Sequence, residues 1–286
     1  MNMYAADSHP GMRRDHNEDS YKADPEHGLW VIADGVGGHS HGEVASTIAT
    51  ETVQQDLSKG STLVDAIQHS HKAIIQEINS RTASNMGSTV VALSLKGVDY
   101  EVAWVGDSRA YIYNGDIKQI SRDHNPVSEM LARGAITAEQ AAIHPERNVL
   151  SQSLGVSENI SVKPGRIRGH IRPGDQILLC SDGLTDELSD QSIAQIMTEQ
   201  RSPKEQVDAL IQGALDAGGR DNITVVVVGD KSDHKSAASS DGGTLNNERA
   251  VVEKKSKNKS HDGKVLLLMG AMALAAIAWV VLKVIR

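Results

Sequence analysis

The segment Leu29-Trp-Val-Ile-Ala-Asp-Gly-Val-Gly-Gly-His39 joins a short apolar run to an acidic residue and a glycine-rich turn. Because the five apolar residues stop at Asp34-Gly35, the pattern predicts a short buried β-strand with a carboxylate at its end. Asp-Gly is also a common turn in proteins of every kind. The segment therefore predicts a strand, while any role for Asp34 depends on what the rest of the chain places beside it.

The pattern on either side of this segment predicts a mixture of helices and strands. Thr62 and Asp65 have the spacing of a capping box, Ser202-Pro203 has the form of a helix start, and Asn114-Gly115 predicts a two-residue hairpin. Strands joined by hairpins, with helices grouped in blocks, favour the α+β class with antiparallel sheets over alternating βαβ units. The predicted helices are 43–57, 62–78 and one starting at 202; the further strands are 89–95, 100–105, 110–113, 176–180 and 223–228.

Composition divides the 286 residues into an acidic body and a basic C-terminal part. Residues 231–264 carry eight basic and five acidic residues, and residues 265–286 carry two basic ones, which leaves 19 basic and 32 acidic residues in 1–230, a net charge of −13. Such a body repels nucleic acid and attracts divalent cations. The single cysteine, Cys180, cannot form an internal disulfide, which favours a reducing compartment.

Acidic residues recur at the ends of apolar runs and in turns. Besides Asp34-Gly35 there are Glu18-Asp19, Gly106-Asp107, Ser181-Asp182 and Asp221-Asn222. Several acids at the ends of buried strands repel one another unless a cation lies between them. Oxygen ligands without Cys or His spacing favour Mg²⁺ or Mn²⁺ over zinc. Two such ions can lower the pKa of a bound water and hold the attacking and leaving oxygens of a phosphoryl transfer.

The order of these motifs resembles that of the metal-dependent PPM, or protein phosphatase 2C, family. The resemblance covers roughly residues 4–229, includes Gly87-Ser-Thr, and extends to 120–154, a segment similar to the family's flap. It implies a four-layer αββα sandwich with two central antiparallel β-sheets and two metal ions, Mn²⁺ or Mg²⁺, at one end of the sheets. A third, more weakly held ion is implied for bacterial members.

The resemblance also implies roles for individual residues. Arg14 matches the arginine that holds the substrate phosphate, and a planar guanidinium suits this task because it donates two parallel hydrogen bonds. Glu18 and Asn222 match residues that support the ligands from outside. The positions that match metal ligands are Asp19, Asp34, Gly35, Asp107, Asp182 and Asp221.

The implied reaction is hydrolysis of phosphoserine and phosphothreonine in proteins by attack of a metal-bridging hydroxide, with no covalent phospho-enzyme. Animal members carry a histidine after the Asp-Gly, as a proposed general acid, whereas this chain has Val36 there. His39 or a metal-bound water is the alternative acid. Cys180, Arg109 and Arg220 are expected to be structural, the two arginines as ion-pair partners.

Two other functions remain open at this point. A PPM fold that binds phosphoproteins without turnover is disfavoured because Arg14 and the matching acids are all present. A metal-dependent hydrolase of another class, such as a nuclease, is disfavoured by the net charge of −13. The favoured hypothesis is a monomeric phosphatase that counteracts a Ser/Thr protein kinase.

The C-terminal part predicts a membrane anchor. Residues 265–282 are 18 consecutive residues without a charge, long enough at 1.5 Å per residue to span about 27 Å of bilayer. Residues 231–264, rich in Ser, Gly, Asn and Lys, predict a flexible basic linker. The excess of lysines before the span predicts a single-pass protein of the inner membrane with its 1–230 domain in the cytoplasm.

Overall fold

The computed structural model describes residues 3–37, 41–80, 85–159 and 161–230. His39, the predicted linker 231–264 and the predicted membrane span 265–282 lie outside the described residues. Within those four ranges, no helix is both long enough and apolar enough to cross a membrane.

Eleven strands and seven helices make up the described part of the chain. The strands are β1 (Tyr4–His9), β2 (Asp19–Asp24), β3 (Leu29–Gly37), β4 (Met86–Ser88), β5 (Val90–Lys96), β6 (Asp99–Val105), β7 (Arg109–Tyr113), β8 (Ile117–Gln119), β9 (Gly165–His170), β10 (Gln176–Cys180) and β11 (Ile223–Val228). The helices are α1 (His41–Ser58), α2 (Leu63–Ser80), α3 (Pro126–Ala132), α4 (Ala138–Ala142), α5 (Asp182–Thr185), α6 (Asp190–Glu199) and α7 (Pro203–Ala217).

The strands form two antiparallel sheets. One has the order β1-β11-β10-β7-β8 and the other the order β2-β3-β5-β6-β9, while β4 extends the second sheet by pairing with β3. Every pair of neighbouring strands runs antiparallel. The predicted α+β class and the antiparallel sheets are therefore confirmed in the described residues.

Three layers of apolar side chains hold the sheets and helices together. The middle layer lies between the two sheets and includes Trp30, Leu93 and Val226. A second layer lies between α1, α2 and the six-stranded sheet, and a third between α6, α7 and the five-stranded sheet. Helix, sheet, sheet and helix follow one another, which is the predicted αββα arrangement.

The position of strand β3 between two apolar layers explains why its sequence is apolar at every residue and does not alternate. Leu29, Val31 and Ala33 point into the layer beneath the helices, whereas Trp30 and Ile32 point into the layer between the sheets. Successive side chains of a strand face opposite sides, so a strand covered on both faces needs apolar residues at every position. The same holds for β11, in which all six residues are buried.

The predicted elements occur within two residues of their expected limits at their starts, and the capping box of Ser202 with Glu205 is present. The hairpin at Asn114-Gly115 differs from the prediction. Tyr113 pairs with Ile117, so three residues connect β7 and β8 instead of two. Gly115 has a φ of +99°, which glycine adopts without strain, and the third residue completes the turn.

Candidate metal centre

The two sheets bring the expected acidic residues to one end of the sandwich. Asp19 opens β2 and Asp34 lies directly opposite it in β3. Asp107 lies in the turn between β6 and β7, Asp182 follows β10, and Asp221 precedes β11. Because the strands are antiparallel, these starts and ends fall at the same edge, and the charges of Asp19, Asp182, Asp107 and Asp221 all act on Asp34.

Burial and mutual repulsion make this cluster of carboxylates costly to ionise. Burial is the largest cause in each case, and it raises the pKa of Asp182 to about 6, of Asp19 to about 7 and of Asp107 to about 8. The pKa of Asp34 lies well above its usual value for the same reason, with repulsion from Asp19 next in size. A cation between such groups would offset the cost of their charge.

Hydroxyl groups hold Asp19 in one orientation. Its Oδ2 accepts hydrogen bonds from Ser181 Oγ at 2.8 Å and from Thr224 Oγ1 at 2.6 Å. Its Oδ1 is buried and has no partner in the described part of the chain, and the same is true of Oδ1 of Asp182. Buried carboxylate oxygens are rarely left without a partner, so two such atoms in one cluster indicate room for a positive group.

The backbone of Asp34 is fixed by the predicted Gly87-Ser-Thr motif. Its amide donates to Thr89 Oγ1 at 3.0 Å, while its carbonyl accepts from Thr89 N at 2.8 Å and from Ser88 Oγ at 3.0 Å. Thr89 Oγ1 also shares a hydrogen bond with Ser108 Oγ, beside Asp107. The motif therefore connects the turn that carries Asp107 with strand β3, which continues past the predicted end at Ala33 to Gly37 and so carries Asp34 within the strand.

Gly35 occupies a position where a side chain does not fit. A Cβ atom there would lie 2.0 Å from the carbonyl oxygen of Gly42 and 2.7 Å from that of Glu18. The requirement for glycine is therefore steric, because the backbones of Gly42 and Glu18 pack closely against Gly35. Gly35 and Asp34 both line the cavity at this end of the sandwich.

Glu18 and Asn222 hold the loop that leads into β2. The Asn222 side chain accepts from Glu18 N at 2.8 Å and donates to the carbonyls of Pro10 at 2.9 Å and His16 at 3.0 Å. The carbonyl of Glu18 accepts from Gly35 N and Ser46 Oγ. Both residues thus fix the loop before β2 beside the cluster, and their predicted role toward a metal ion stays a prediction.

Arg14 lies at the rim of a cavity of about 770 Å³, whose wall includes Asp34, Asp182 and Asp221. Its Nη2 donates to Asp221 Oδ2 at 2.7 Å, and half of its side chain is exposed. The structure therefore places Arg14 and Asp221 in an ion pair, an arrangement that the sequence did not predict. In the described ranges, no group of three His, Cys, Asp or Glu side chains is arranged to hold a metal ion.

The donor set nevertheless fits a hard divalent cation in its chemistry. It consists of carboxylate oxygens and a backbone segment restricted to glycine, with two buried oxygens that lack partners. Mg²⁺ and Mn²⁺ prefer such ligands. Asp221 can contribute only if its Oδ2 is released from Arg14 or if its other oxygen is used.

Residues 11–216 match the family model described as protein phosphatase 2C. The chain belongs to the protein phosphatase 2C family. The serine/threonine phosphatase stp of Listeria innocua is 34% identical over 233 residues, covering 76% of this chain and 92% of that protein. The serine/threonine protein phosphatase PstP of Mycobacterium tuberculosis is 36% identical over 232 residues, covering 78% of this chain and 44% of PstP.

Solved structures of serine/threonine phosphatases share the fold. A crystal structure of the PstP catalytic domain in complex with two manganese ions has a TM-score of 0.71 and 33% identity, covering 81% of this chain and 99% of that one. The phosphatase Stp1 of Staphylococcus aureus has a TM-score of 0.74 at 29% identity, covering 81% of this chain and 96% of that one. Membership of this family leaves the alternative hypothesis, a nuclease, without support.

Three residues of this protein phosphatase 2C domain have the structural roles expected of them. Arg109 binds Asp123 through Nε and Nη2 at 3.0 and 2.8 Å, and Arg220 binds Glu187 at 2.9 Å. Cys180 is buried, and burial raises the pKa of its thiol to about 12.

Two residues of the site were not predicted. Thr224 lies within the apolar run of β11, and Ser181 precedes Asp182, yet both hydroxyls bind Asp19. The only signal for Thr224 in the sequence is that it is a polar residue within an apolar run, whose positions are all buried in the structure. Sequence alone does not show which strand end that hydroxyl faces.

The raised pKa values predict an inverse pH dependence of stability in excess chelator. Unfolded aspartates titrate near pH 3.9. The folded chain therefore retains protons on Asp182, Asp19 and Asp107 over pH 4–8 that the unfolded chain has lost, so their stabilising contribution is present below pH 4 and lost as pH rises towards 8. We expect the melting temperature to fall between pH 5 and 8, and to fall less steeply when Mn²⁺ is present.

Asp19→Asn should flatten this dependence, because an amide carries no titrating proton, whereas Asp230→Asn at an exposed position should leave it unchanged. Thermal unfolding across the pH range, with chelator and with Mn²⁺, measures the effect. A wild-type melting temperature that rises from pH 5 to 8 in chelator, with Asp19→Asn behaving identically, would contradict the electrostatic account of the cluster.

Proposed function

We infer that this protein is a metal-dependent protein phosphatase that hydrolyses phosphoserine and phosphothreonine. The observation that carries this conclusion is the buried carboxylate cluster beside Arg14 at one end of a protein phosphatase 2C fold. The curated relatives of this chain are named serine/threonine phosphatases, and one related catalytic domain is described with two manganese ions.

We propose that Asp19, Asp34, Asp182 and Asp221, with the backbone carbonyl of Gly35, hold two ions of Mn²⁺ or Mg²⁺. Asp107, with Asp182, is the proposed site of a third ion. When bound, these ions supply an activated water and offset the negative charge of the phosphoryl group. The two unpartnered oxygens, on Asp19 and Asp182, support this assignment.

The chain's own residues orient the ligands and the substrate. Ser181 and Thr224 hold Asp19 through Oδ2, so that Oδ1 keeps a fixed direction. We assign Arg14 to the substrate phosphate, because its guanidinium is exposed at the cavity rim and can donate in parallel to two phosphate oxygens. The bond to Asp221 uses only Nη2 of Arg14, so phosphate can be bound through the other N–H groups or by displacing Asp221.

The identity of the general acid is part of this proposal. Val36 is 56% exposed and lines the cavity, but it has no proton to donate. Among the described residues that line this cavity, there is no histidine. His39 is therefore proposed as the acid, with a water molecule as the alternative, and the pH profile of His39→Ala distinguishes the two.

We further propose that residues 265–282 anchor the protein in the inner membrane, with residues 1–230 in the cytoplasm. The support is the uncharged run of 18 residues and the lysines Lys254, Lys255, Lys257, Lys259 and Lys264 that precede it. A Ser/Thr protein kinase at the same membrane is the proposed source of the phosphorylated substrates.

Metal dependence is the first test of the activity. The purified chain should hydrolyse a phosphothreonine peptide with Mn²⁺ and lose this activity in excess chelator. Asp34→Ala and Asp182→Ala should each lower kcat/KM by at least about two orders of magnitude, because each removes an electrostatic element of catalysis. Full activity in chelator contradicts the metal mechanism, and inactivity with Mn²⁺ favours a phosphoprotein-binding protein without turnover.

Arg14 should act mainly on the substrate. We expect Arg14→Ala to raise KM for the peptide more than it weakens activation by Mn²⁺, and Arg14→Lys to restore only part of the loss, since a point charge does not reproduce bidentate geometry. Arg220→Ala is the matched control, because that arginine is paired with Glu187. Unchanged kcat/KM in Arg14→Ala would show that the phosphate is held elsewhere.

The membrane topology is tested by protease protection. The full-length protein should sediment with membranes, its N-terminal domain should be digested in inside-out vesicles, and it should survive in intact spheroplasts. A variant with four of the five lysines between 254 and 264 changed to Gln tests the role of charge. A wholly soluble full-length protein, or digestion from outside the cell, would contradict the proposed anchor.

A further inference from the structure

The cavity at the carboxylate cluster continues along α2. Its wall also includes Ile75 and Ile78 of α2, and Val156 and Glu158 of the loop before β9. A second cavity of about 510 Å³ shares Ile75 and Glu158 with the first. The two cavities thus meet at this pair of residues. We name the part of the wall formed by Ile75, Ile78, Asn79, Val156 and Glu158 the α2 groove.

The α2 groove combines apolar surface with one fixed negative charge. Val156 is 59% exposed, and the partly buried Ile78 faces the same cavity. Asn79 Nδ2 donates a hydrogen bond to Glu158 Oε1, which ties the loop to the last turn of α2. Among the described residues that line the first cavity, Glu158 is the only charged one outside the carboxylate cluster and its neighbours Arg14 and Glu18.

A cavity of about 770 Å³ is of the size that holds a whole drug-sized ligand, so a phosphoryl group bound at the Arg14 end occupies only part of it. In a protein substrate the phosphorylated side chain is followed and preceded by further residues, spaced about 3.3 Å apart in an extended segment. These flanking residues come within reach of the cavity wall. The α2 groove is one part of that wall outside the cluster, and Val36, Met86 and Ser153 belong to the remainder.

We propose that the α2 groove binds residues that flank the phosphorylated side chain, and that Glu158 selects Lys or Arg among them. Long basic side chains lay their methylene stems on apolar surface and extend their charged ends to a polar group. Ile78 and Val156 match the stem, and Glu158 matches the charge. This inference rests on the proposed phosphatase function.

The charge of the domain favours the same class of substrate. Residues 1–230 carry a net charge of −13, so a phosphorylated segment rich in acids is repelled as it approaches. Basic flanking residues reduce this repulsion. Lys72 lies in the second cavity, beyond Glu158, so the preference for basic residues is expected close to the phosphorylated residue and not further along the segment.

The test measures sequence preference with the full-length protein. A phosphothreonine peptide with neutral flanks is compared with peptides that carry a single Lys at each position from four before to four after the phosphothreonine. We expect Lys at one or two positions to raise kcat/KM by about 2- to 5-fold, mainly through KM, the range expected for one exposed ion pair. A small phosphate monoester serves as a substrate without flanking residues.

Glu158→Gln keeps the oxygen that accepts from Asn79 and removes only the charge. It should reduce the preference for Lys to less than about 1.5-fold, and Glu158→Lys should reverse it in favour of Glu. Hydrolysis of the phosphate monoester should stay within about twofold of wild type in both variants. Glu26→Gln, in the exposed turn between β2 and β3, is the matched control and should retain the preference.

Several outcomes overturn the inference while the proposed function stands. These are a flat profile in the wild type, a preference that survives in Glu158→Gln, and an equal change on every peptide and on the monoester, which would indicate that Glu158 acts on the carboxylate cluster and not on flanking residues. Failure of the wild type with Mn²⁺ on the monoester and on every phosphopeptide is different, because it overturns the proposed function and the inference with it.

Discussion

The packing of two antiparallel sheets through a buried layer of aliphatic and aromatic side chains is the constraint on which the site depends. Trp30, Leu93 and Val226 belong to this layer, and it fixes the distance and the relative direction of the two sheets. Asp19 and Asp34 are carried by one sheet, while Asp182 and Asp221 adjoin strands of the other. The acids therefore meet because the apolar layer brings the ends of their strands together, against the repulsion between them.

Hydrogen bonds across the sheets reduce the cost of this meeting. Asp19 comes from the six-stranded sheet, but the hydroxyls that hold it, on Ser181 and Thr224, come from the five-stranded one. Asn222 likewise joins the start of β11 to the loop before β2. Each sheet thus supplies hydrogen-bond acceptors for donors on the other. The arrangement of the cluster therefore depends on how the two sheets are positioned relative to each other.

Most of the fold could be predicted because buried strands and capped helices leave strong local patterns. The run of Leu29–Ala33 and the Ser202 capping box were sufficient for β3 and α7. Strands β1, β2 and β9 were missed because they are edge strands of mixed polarity, such as Asp19–Asp24, which lack an apolar run. An edge strand is covered less completely and needs fewer apolar residues.

The acidic residues of the site could be predicted in type and order, since each interrupts a pattern that the fold otherwise requires. Their partners could not. The contact of Arg14 with Asp221 spans 207 positions, and that of Thr224 with Asp19 spans 205. Such contacts depend on which strand ends coincide in space, and no local pattern encodes that. The acid His39 and the span 265–282 lie outside the described residues and stay predictions.

The position of β3 inside its sheet and of β2 at the edge has a consequence for hydrogen exchange. The amides of Leu29–Ile32 lie where β3 is paired on both sides and covered on both faces, so we expect them to exchange only when the whole domain opens. Strand β2 is paired on one side and can open locally. Asp34 and Asp19 face each other across that boundary, so the two carboxylates belong to strands of different local stability, and any opening of β2 at Asp19 must also break the hydrogen bonds that Ser181 and Thr224 donate to it.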